Sequence, residues 1–431
     1  MNETLQFLSF TDPNVRFVVI GTMILGATAA MVGSFSFLRK RALVGDAIAH
    51  SILPGICLSF MVSGSKSPLG LIIGAFITGW LSLILIDAIS RTTKLSSDAA
   101  IGIILSVFFG VGILLLTSIQ HSGNAAQAGL DKFLFGKAAS LTQDDIITFS
   151  SIGIVLIILV LLFYKEFKLI SFNPDYARVI GLPVKFLEFV LATITVLAVA
   201  VGIQAVGVVL MAALLITPAS GARFWTNRLG YMILIATLFG AVSGFFGSYI
   251  SYIAPAMPTG PWVVMCLSLL TVGSIWFAPK SGMLSKYRVQ RENKRKILIE
   301  NVLKLFYHLG EKRANFKQAR SFEELKASRD LKAKELVRGL AMLKKRNWLR
   351  KKDEKWFVTS SGLKEAKRVI RLHRLWEMYL NQRLKLEPDH VHNDAEAIEH
   401  IITPELEKQL EKELDFPKKD PHQSTIPYSE I

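Results

Sequence analysis

The chain has 431 residues, 51% of them hydrophobic, and a mean hydropathy of +0.40. This hydropathy lies far above that of an ordinary soluble domain, which excludes a purely soluble protein. The net charge of +16 is uneven, because residues 1–278 hold 15 Lys and Arg against 11 Asp and Glu, whereas the remainder holds 35 against 23. Two cysteines are too few for a disulfide framework or a zinc ribbon.

Dense apolar runs stop near Ala278, and charged helical patterns continue from there to the C-terminus. The predicted fold is mainly α-helical, with a polytopic bundle of eight or nine membrane helices over residues 1–279. Residues 280–296 are predicted to form a basic juxtamembrane linker attracted to acidic membrane lipid. Two polar regions follow, at residues 297–362 and 363–431.

The membrane spans are predicted from run length, because about 20 apolar residues are needed for a helix to cross a bilayer. The division between the sixth and seventh candidates is the weakest, since Gly202, Gln204 and Gly207 interrupt one long run. The nine candidates cover residues 14–38, 42–62, 70–90, 98–119, 145–164, 185–203, 205–222, 229–252 and 261–278.

The basic residues of the short loops predict the orientation. Eleven Lys and Arg fall on one set of alternate connections and four on the other. Because cytoplasmic loops carry the excess of positive charge, the first set is predicted to be cytoplasmic. The N-terminus is then outside and the C-terminal region inside the cell.

Asp46 and His50 lie at the start of the second candidate span, in a segment otherwise suited to lipid. A spacing of four puts both side chains on one helix face, where a carboxylate oxygen and an imidazole nitrogen can hold one cation. Ionisable groups at membrane depth are costly and mark ion pathways, so the pair is a candidate metal site. The simpler alternative is that Asp46 caps a helix start and His50 only packs against a neighbour.

The loop of residues 172–183 has the signals of a short helix. Asn173 is a capping residue, Pro174 suits the first turn, and Gly181 and Pro183 end the helix. A short amphipathic helix on the membrane face is a feature that a partner subunit could grip, although the spacing alone also fits an ordinary connecting loop.

Three segments are more specific: RALVGDAIAHSILPG at residues 41–55, NPDYARVIGLPV at 173–184 and LITPASGARFW at 215–225. Together they resemble the permease subunit of the ABC-3 family of manganese, zinc or iron(II) importers. The resemblance implies a bacterial inner-membrane homodimer, or a dimer with a related permease, served by cytoplasmic ATPase subunits and an extracytoplasmic metal-binding protein. It also implies that Asp46 and His50 line the metal path.

The same resemblance implies that the loop couples transport to the ATPase through Asn173, Pro174, Asp175, Ala177 and Gly181. The chain has no Walker A pattern GxxxxGK[ST], so ATP hydrolysis must come from another polypeptide. The chain itself is therefore predicted not to be an enzyme. A secondary transporter without an ATPase is the remaining alternative, but no clear pair of Gly/Pro-broken repeats supports it.

The polar region begins with a pattern of three helices and a hairpin. Helices are predicted at residues 297–309, 321–328, where Ser321 and Glu324 form a capping pattern, and 331–346, followed by a hairpin at 348–359. This order is typical of a winged helix-turn-helix that binds DNA, although the same fold also serves protein interaction. The predicted DNA-binding residues are Lys332, Lys334, Arg338, Lys344, Lys345, Arg350 and Lys351.

The C-terminal region concentrates metal-capable side chains at helical spacing. His373 and Glu377 are four apart, and His392, Glu396, Glu399 and His400 follow at spacings of four, three and one. The motifs RLHRLWE, VHNDAEAIEH and DPHQSTIP resemble the iron-dependent repressor family of the diphtheria-toxin-repressor type. The resemblance implies two metal sites, one of Glu396, Glu399 and His400 and the other of His373, Glu377 and His392, in a dimer that binds operator DNA.

Two features of this region bear on the metal. Glu396 stands where iron-responsive members of that family have Cys, and a carboxylate favours manganese. The family's first helix supplies a ligand near Glu300, Asn301 and Lys304, and the last two are poor substitutes for a carboxylate.

The prediction is therefore the permease subunit of a divalent-metal ABC importer, fused to a metal-dependent DNA-binding regulator. Manganese is favoured as the bound and transported ion, with iron(II) or zinc as alternatives. A different hypothesis makes the tail an autoinhibitory sensor of cytoplasmic metal. The sequence alone leaves open whether the tail binds DNA or is released by proteolysis.

Overall fold

The computed structural model describes residues 3–39, 42–65, 67–121, 136, 138, 141–254, 257–328, 332–384 and 404–428. Contacts divide the chain into two compact units, Met1–Ser285 and Lys286–Ile431. Each unit is described by itself below.

The first unit is built from helices. Eight stretches of the described residues are long and apolar enough to cross a membrane, which agrees with the lower of the two predicted numbers. The helices are α1 (Glu3–Ser9), α2 (Pro13–Leu38), α3 (Ala42–Ser51), α4 (Leu53–Ser63), α5 (Pro68–Thr92), α6 (Ser97–His121), α7 (Gln143–Leu162), α8 (Tyr164–Phe172), α9 (Pro174–Val179), α10 (Val184–Val206), α11 (Val208–Arg223), α12 (Leu229–Ile253) and α13 (Thr259–Phe277).

The seventh predicted span is α11, and it differs from the others. It has 16 residues, so it is about 24 Å long, less than the hydrocarbon thickness of a bilayer. Gly207, with a φ of 90°, separates it from α10. Met211, Leu214 and Leu215 of α11 are completely buried. The eight stretches alone would put both termini on the same side of the membrane. The predicted placement on opposite sides therefore requires α11 to cross as a ninth span, and it stays a prediction.

Close backbone contacts hold the helices of the first unit together. A Cβ added to Gly240 of α12 would lie 2.1 Å from the carbonyl oxygen of Gly26 in α2. A Cβ on Gly55 of α4 would lie 2.1 Å from the carbonyl oxygen of Gly74 in α5. Helices in membranes associate through such small residues, because lipid offers no hydrophobic force to drive them together.

The second unit contains the elements predicted for its first half. α14 (Met283–Lys312) runs into it and is followed by α15 (Phe322–Ala327), α16 (Ala333–Lys345), the strands β1 (Leu349–Lys352) and β2 (Lys355–Val358), α17 (Ser360–Leu384) and α18 (Pro404–Glu413). Ser321 caps α15 by accepting a hydrogen bond from the backbone N–H of Glu324, as its capping pattern predicts. The strands pair antiparallel around Asp353 and Glu354, which both have positive φ.

The first helix of this unit is longer than predicted. The apolar period predicts a helix from Ile297, but α14 begins at Met283 and continues without a break. Residues 283–296 contain no Gly or Pro and are rich in Lys and Arg, which favour helix. The basic linker is therefore helical through most of its length.

A buried arginine organises the core beside α14. Arg320 is 1% exposed and donates to the backbone carbonyl of Leu309 and to the carboxylate of Glu324, each at 3.0 Å. Its own backbone pairs with that of Trp356 in β2. Arg320 therefore links the first helix to the hairpin, with its charge paired as a buried guanidinium requires.

Candidate metal-binding residues

Asp46 and His50 lie together on one face of α3. The Nε2 atom of His50 is 3.5 Å from Oδ1 of Asp46, and the two side chains are 19% and 40% exposed. Ligand atoms that each lie about 2.1 Å from a tetrahedral ion are about 3.4 Å apart, so this separation fits two ligands of one cation. The ring of Phe109 meets the imidazole edge to face at 5.0 Å and fixes its plane.

The end of α3 leaves polar groups without protein partners. His50 Nδ1 and Ser51 Oγ are buried and make no hydrogen bond to the described residues. Pro54 has no N–H and therefore cannot donate to the carbonyl of His50, the usual partner four residues earlier. Because buried polar groups are normally satisfied, the cluster is an attractive position for water or a cation.

Glycines place this helix within the bundle. A Cβ on Gly45 would lie 2.7 Å from the side chain of Leu215 in α11, and Gly55 contacts α5 as described above. The glycines of the segment at residues 41–55 therefore seat it against two neighbours. Leu215 belongs to the segment at residues 215–225, so the two motifs are in contact.

The loop before α10 folds as the sequence predicts. Asn173 accepts a hydrogen bond from the N–H of Tyr176 at 3.0 Å and caps α9. Gly181, with a φ of 84°, ends the turn, and the N–H of Leu182 donates to the carbonyl of Ala177. Asp175 pairs with Arg178, while Ala177 is completely buried. The helix is thus capped at both ends and mostly exposed, and its predicted coupling role stays a prediction.

The second unit places His373 and Glu377 in contact on α17. His373 Nε2 is 3.1 Å from Glu377 Oε1, and the side chains are 6% and 3% exposed. A buried imidazole and a carboxylate at this separation fit as two ligands of a divalent ion. The other four predicted ligands, His392, Glu396, Glu399 and His400, lie outside the described residues. Within the described part of the chain, no three His, Cys, Asp or Glu side chains form a metal cluster.

Arg374, which the sequence analysis did not single out, is the centre of an ion-pair network beside this pair. Its guanidinium contacts both carboxylate oxygens of Glu311, at 3.1 and 2.8 Å, and Asp420 at 3.3 Å. It also donates to the backbone carbonyl of Thr425. These contacts join α14, α17 and the motif at residues 420–427. The role of Arg374 could not be predicted from the sequence. Its partners Asp420 and Glu311 are 46 and 63 positions away, and no local spacing connects them to it.

His308 of α14 belongs to the same network. Burial and, next, the positive charge of Arg374 lower the pKa of His308 to about 4; Glu311 opposes this shift, and His373 and Lys304 add smaller lowering effects. His308 is therefore neutral near pH 7. Its Nδ1 atom lies 3.9 Å from Glu311, so this histidine is positioned by the same carboxylate as Arg374.

The three α14 residues near the expected family ligand have different surroundings. Glu300 is 7% exposed and lies 3.9 Å from Lys296. Lys304 is 3% exposed. Asn301 lines a separate cleft between α14 and α16, and its buried Oδ1 has no hydrogen-bond partner among the described residues. Asn301 is thus not brought to the His373–Glu377 pair.

The predicted DNA-binding residues occupy exposed positions at or near α16 and on β1. α16 buries Leu336, Gly339, Leu340 and Leu343, which leaves its cations on the opposite face. Lys351 of β1 instead pairs with Glu354 at 2.7 Å and lies over the ring of Trp356. The exposed cations are Lys332, Lys334, Arg338, Lys344, Lys345 and Arg350.

Comparison with known proteins decides the family. Residues 11–278, more than half of the chain, match the family described as the ABC 3 transport family. The chain belongs to the ABC 3 transport family. Residues 359–428 match the family described as the iron dependent repressor, metal binding and dimerisation domain. Both predicted resemblances are therefore confirmed, each over its own part of the chain.

Individual relatives agree with this division. The manganese transport system membrane protein MntC of Bacillus subtilis is 42% identical over 381 residues, which cover 88% of this chain and 87% of that protein. The zinc transport system membrane protein TroC of Treponema pallidum is 44% identical over 291 residues, which cover 68% of this chain and 97% of TroC. The alignment with MntC is longer than the first unit, so this similarity continues into the tail of this ABC 3 member.

Among solved structures, PsaBC from Streptococcus pneumoniae in complex with Fab is similar with a TM-score of 0.60 at 30% identity. The match covers 67% of this chain and 99% of that chain. Together with the eight apolar stretches, it shows that this ABC 3 family member is a multi-pass membrane protein. The predicted mainly helical membrane bundle is confirmed.

Proposed function

We propose that this ABC 3 protein is the membrane permease of a divalent-metal importer and that its tail is a metal-dependent DNA-binding regulator. The observation that carries the transport half is the Asp46–His50 pair, beside the unpartnered His50 Nδ1 and Ser51 Oγ, in a membrane bundle. A carboxylate and an imidazole suit manganese, zinc and iron(II). MntC and TroC, whose names refer to manganese and zinc transport, support this class of cargo without choosing one ion.

Among the described residues of one chain, the Asp46–His50 pair supplies too few ligands to enclose an ion. Asp46 and His50 provide two, whereas divalent ions of this class take four or more. A second permease copy that contributes the same pair would complete the set, with water at any remaining position. Four protein ligands would surround the ion only partly, so the ion can also be released, as transport requires. A dimer, either of this chain or with a related permease, is therefore part of the proposal.

The energy for transport would come from a separate ATPase seated on α9. This short helix and its C-cap carry exposed apolar side chains: Tyr176 is 54% exposed, Val179 83% and Ile180 50%. Such side chains on a polar loop are suited to a protein partner rather than to water. Asn173 and Gly181 hold the ends of the helix, so a push on it would be transmitted to α10. In this proposal α9 and the tail lie in the cytoplasm, as the loop charges predict, and the metal-delivering protein lies outside.

Manganese uptake by variants of Asp46 and His50 tests the transport half of the proposal. The change is Asp46→Asn or His50→Gln in cells that lack other manganese uptake and also make the ATPase and metal-delivering subunits. Radioactive manganese uptake should fall to the level of cells without the permease, because each variant removes one of two ligands. The matched controls Asp144→Asn and His121→Gln change the same residue types at exposed ends of other helices. Parental uptake by both site variants would contradict the proposal.

The tail proposal rests on the repressor-domain match and on the buried His373–Glu377 pair. A divalent ion bound there would supply positive charge between α17 and its neighbours. The chain's own residues orient the site, since Arg374 and Glu311 connect α17 to α14. The autoinhibitory alternative has no separate observation in its favour.

Metal-dependent binding to DNA tests this second half. The full chain in nanodiscs would be mixed with the promoter fragment of its own gene, with manganese or with a chelator. We expect manganese to tighten binding, and Glu377→Gln to remove the difference while His422→Gln, an exposed control, retains it. Equal, nonspecific affinity under both conditions in the parent would contradict a metal-dependent regulator.

A further inference from the structure

A basic cleft lies in the second unit between the first half of α14 and α16. Its volume is about 820 Å³, and its walls include Arg291, Lys294 and Arg295 from α14 and Lys334 and Arg338 from α16. Glu335 is the acidic residue among its lining residues, so the cleft is strongly positive. The α14 wall comes from the segment predicted to be a linker. None of its cations belongs to the predicted set of DNA-binding residues.

The spacing of the cations puts those of each helix on one face, the face that lines the cleft. Arg291, Lys294 and Arg295 are at positions i, i+3 and i+4 of α14, and Lys334 and Arg338 are four apart on α16, so each set shares one helix face. All five side chains are exposed. None of them forms an ion pair with the described residues, whereas Lys296 on another face of α14 contacts Glu300.

The composition of the first half of α14 favours a helix, but no buried side chain of this half holds it beside α16. Residues 286–296 are all exposed, and the buried positions of α14 begin at Ile299. Asn301 also lines the cleft, and its buried amide oxygen has no partner among the described residues. This oxygen is an acceptor, so water can satisfy it and a phosphate cannot; the case for a phosphate ligand rests on the five cations.

We infer that this cleft binds the phosphate backbone of nucleic acid and that Arg291, Lys294 and Arg295 are phosphate-contacting residues. The inference rests on the proposed DNA-binding function and extends the contact surface from α16 to the membrane-proximal helix. Residues four apart are about 6 Å apart along a helix, so each wall can engage successive phosphates of one strand. A single lipid headgroup carries one diester phosphate and would leave most of the five cations unmatched.

The test measures the salt dependence of DNA binding by the full chain in nanodiscs of zwitterionic lipid. The probe is a fluorescein-labelled 30-base-pair duplex of random sequence, followed by anisotropy at several salt concentrations. Arg291→Gln with Lys294→Gln should make the slope of log K against log salt shallower by about 1.8, because each lost phosphate contact removes about 0.9. Lys408→Gln with Lys412→Gln, on exposed positions of α18, removes the same charge and should leave the slope unchanged.

A third variant distinguishes a failure of this inference from a failure of the proposed DNA-binding function. Lys334→Gln with Arg338→Gln should also flatten the slope. If this α16 variant flattens it and the α14 variant does not, the inference is wrong and DNA binding stands. If the parent binds no duplex, both are wrong. If phosphatidylglycerol in the nanodisc abolishes the difference in slope between the parent and the α14 variant, while zwitterionic nanodiscs show no difference either, the cleft does not bind nucleic acid and the inference is overturned.

Discussion

The candidate metal sites in the two units use the same chemistry in opposite surroundings. Asp46 and His50 are partly exposed, and polar atoms at this end of α3 have no partner in the described part of the chain. His373 and Glu377 are almost completely buried next to an arginine that pairs with two carboxylates. A site that must admit and release an ion benefits from unsatisfied groups. A site that holds two helices together benefits from a fixed, fully paired network.

The means of holding helices together differ in the same way. In the first unit, helices approach until glycine backbones touch, as at Gly26 and Gly240. In the second unit, helices are connected by ion pairs, such as Arg371 with Glu407 at 2.5 Å and with Glu411 at 3.1 Å. Lipid favours close packing of small residues, while water permits long charged side chains to bridge larger gaps.

The largest expected effect is at Arg374. Arg374→Met would leave the buried carboxylate of Asp420 and that of Glu311 without their cation, which costs about 3–5 kcal/mol of stability of the second unit. Pulse proteolysis of the full chain in urea measures this stability. Arg346→Met, at an exposed residue that stacks on Trp348, should cost less than about 1 kcal/mol. Equal losses for the two variants would show that the network does not hold this unit.

The next effect tests the glycine contact in the first unit. Gly240→Ala would place a methyl group against the Gly26 carbonyl and should cost about 1–3 kcal/mol, because a backbone atom cannot move aside. Gly110→Ala in α6 is the control, since an added Cβ there meets nothing within 4 Å, and helix propensity favours Ala. Thermal unfolding in detergent compares them. A Gly240→Ala protein as stable as the control would argue against the close approach.

The smallest effect concerns the pH dependence of the second unit. The pKa of His308 in the folded chain, about 4, lies below its ordinary value of 6.5, so the unfolded chain binds this proton first as pH falls. Stability should therefore be constant above pH 6.5 and decline between pH 6.5 and 4. The urea midpoint at pH 7 and pH 5 measures this decline, which His308→Gln should reduce and His422→Gln should not. An unchanged decline in His308→Gln would assign it to other groups.

The sequence by itself determined the features that depend on neighbouring residues. Run length predicted the eight membrane-spanning stretches and a ninth candidate that became the short α11. Asn173 and Pro174 predicted α9, and Ser321 predicted the start of α15. The spacing of Asp46 and His50 was enough to place them on one face, because a helix brings residues four apart together. Motif resemblance, rather than periodicity, supplied the family and the predicted roles of the site residues.

Only the tertiary structure decided the features that depend on distant contacts. The burial of α11, the closeness of Gly26 to Gly240 and the pairing of Arg374 with Glu311 and Asp420 join positions far apart in the chain, and no local pattern encodes them. The extension of α14 into the predicted linker was also missed, since the apolar period begins only at Ile297. An exposed helix without an apolar face gives no hydrophobic signal, so its alignment beside α16 became visible only in three dimensions.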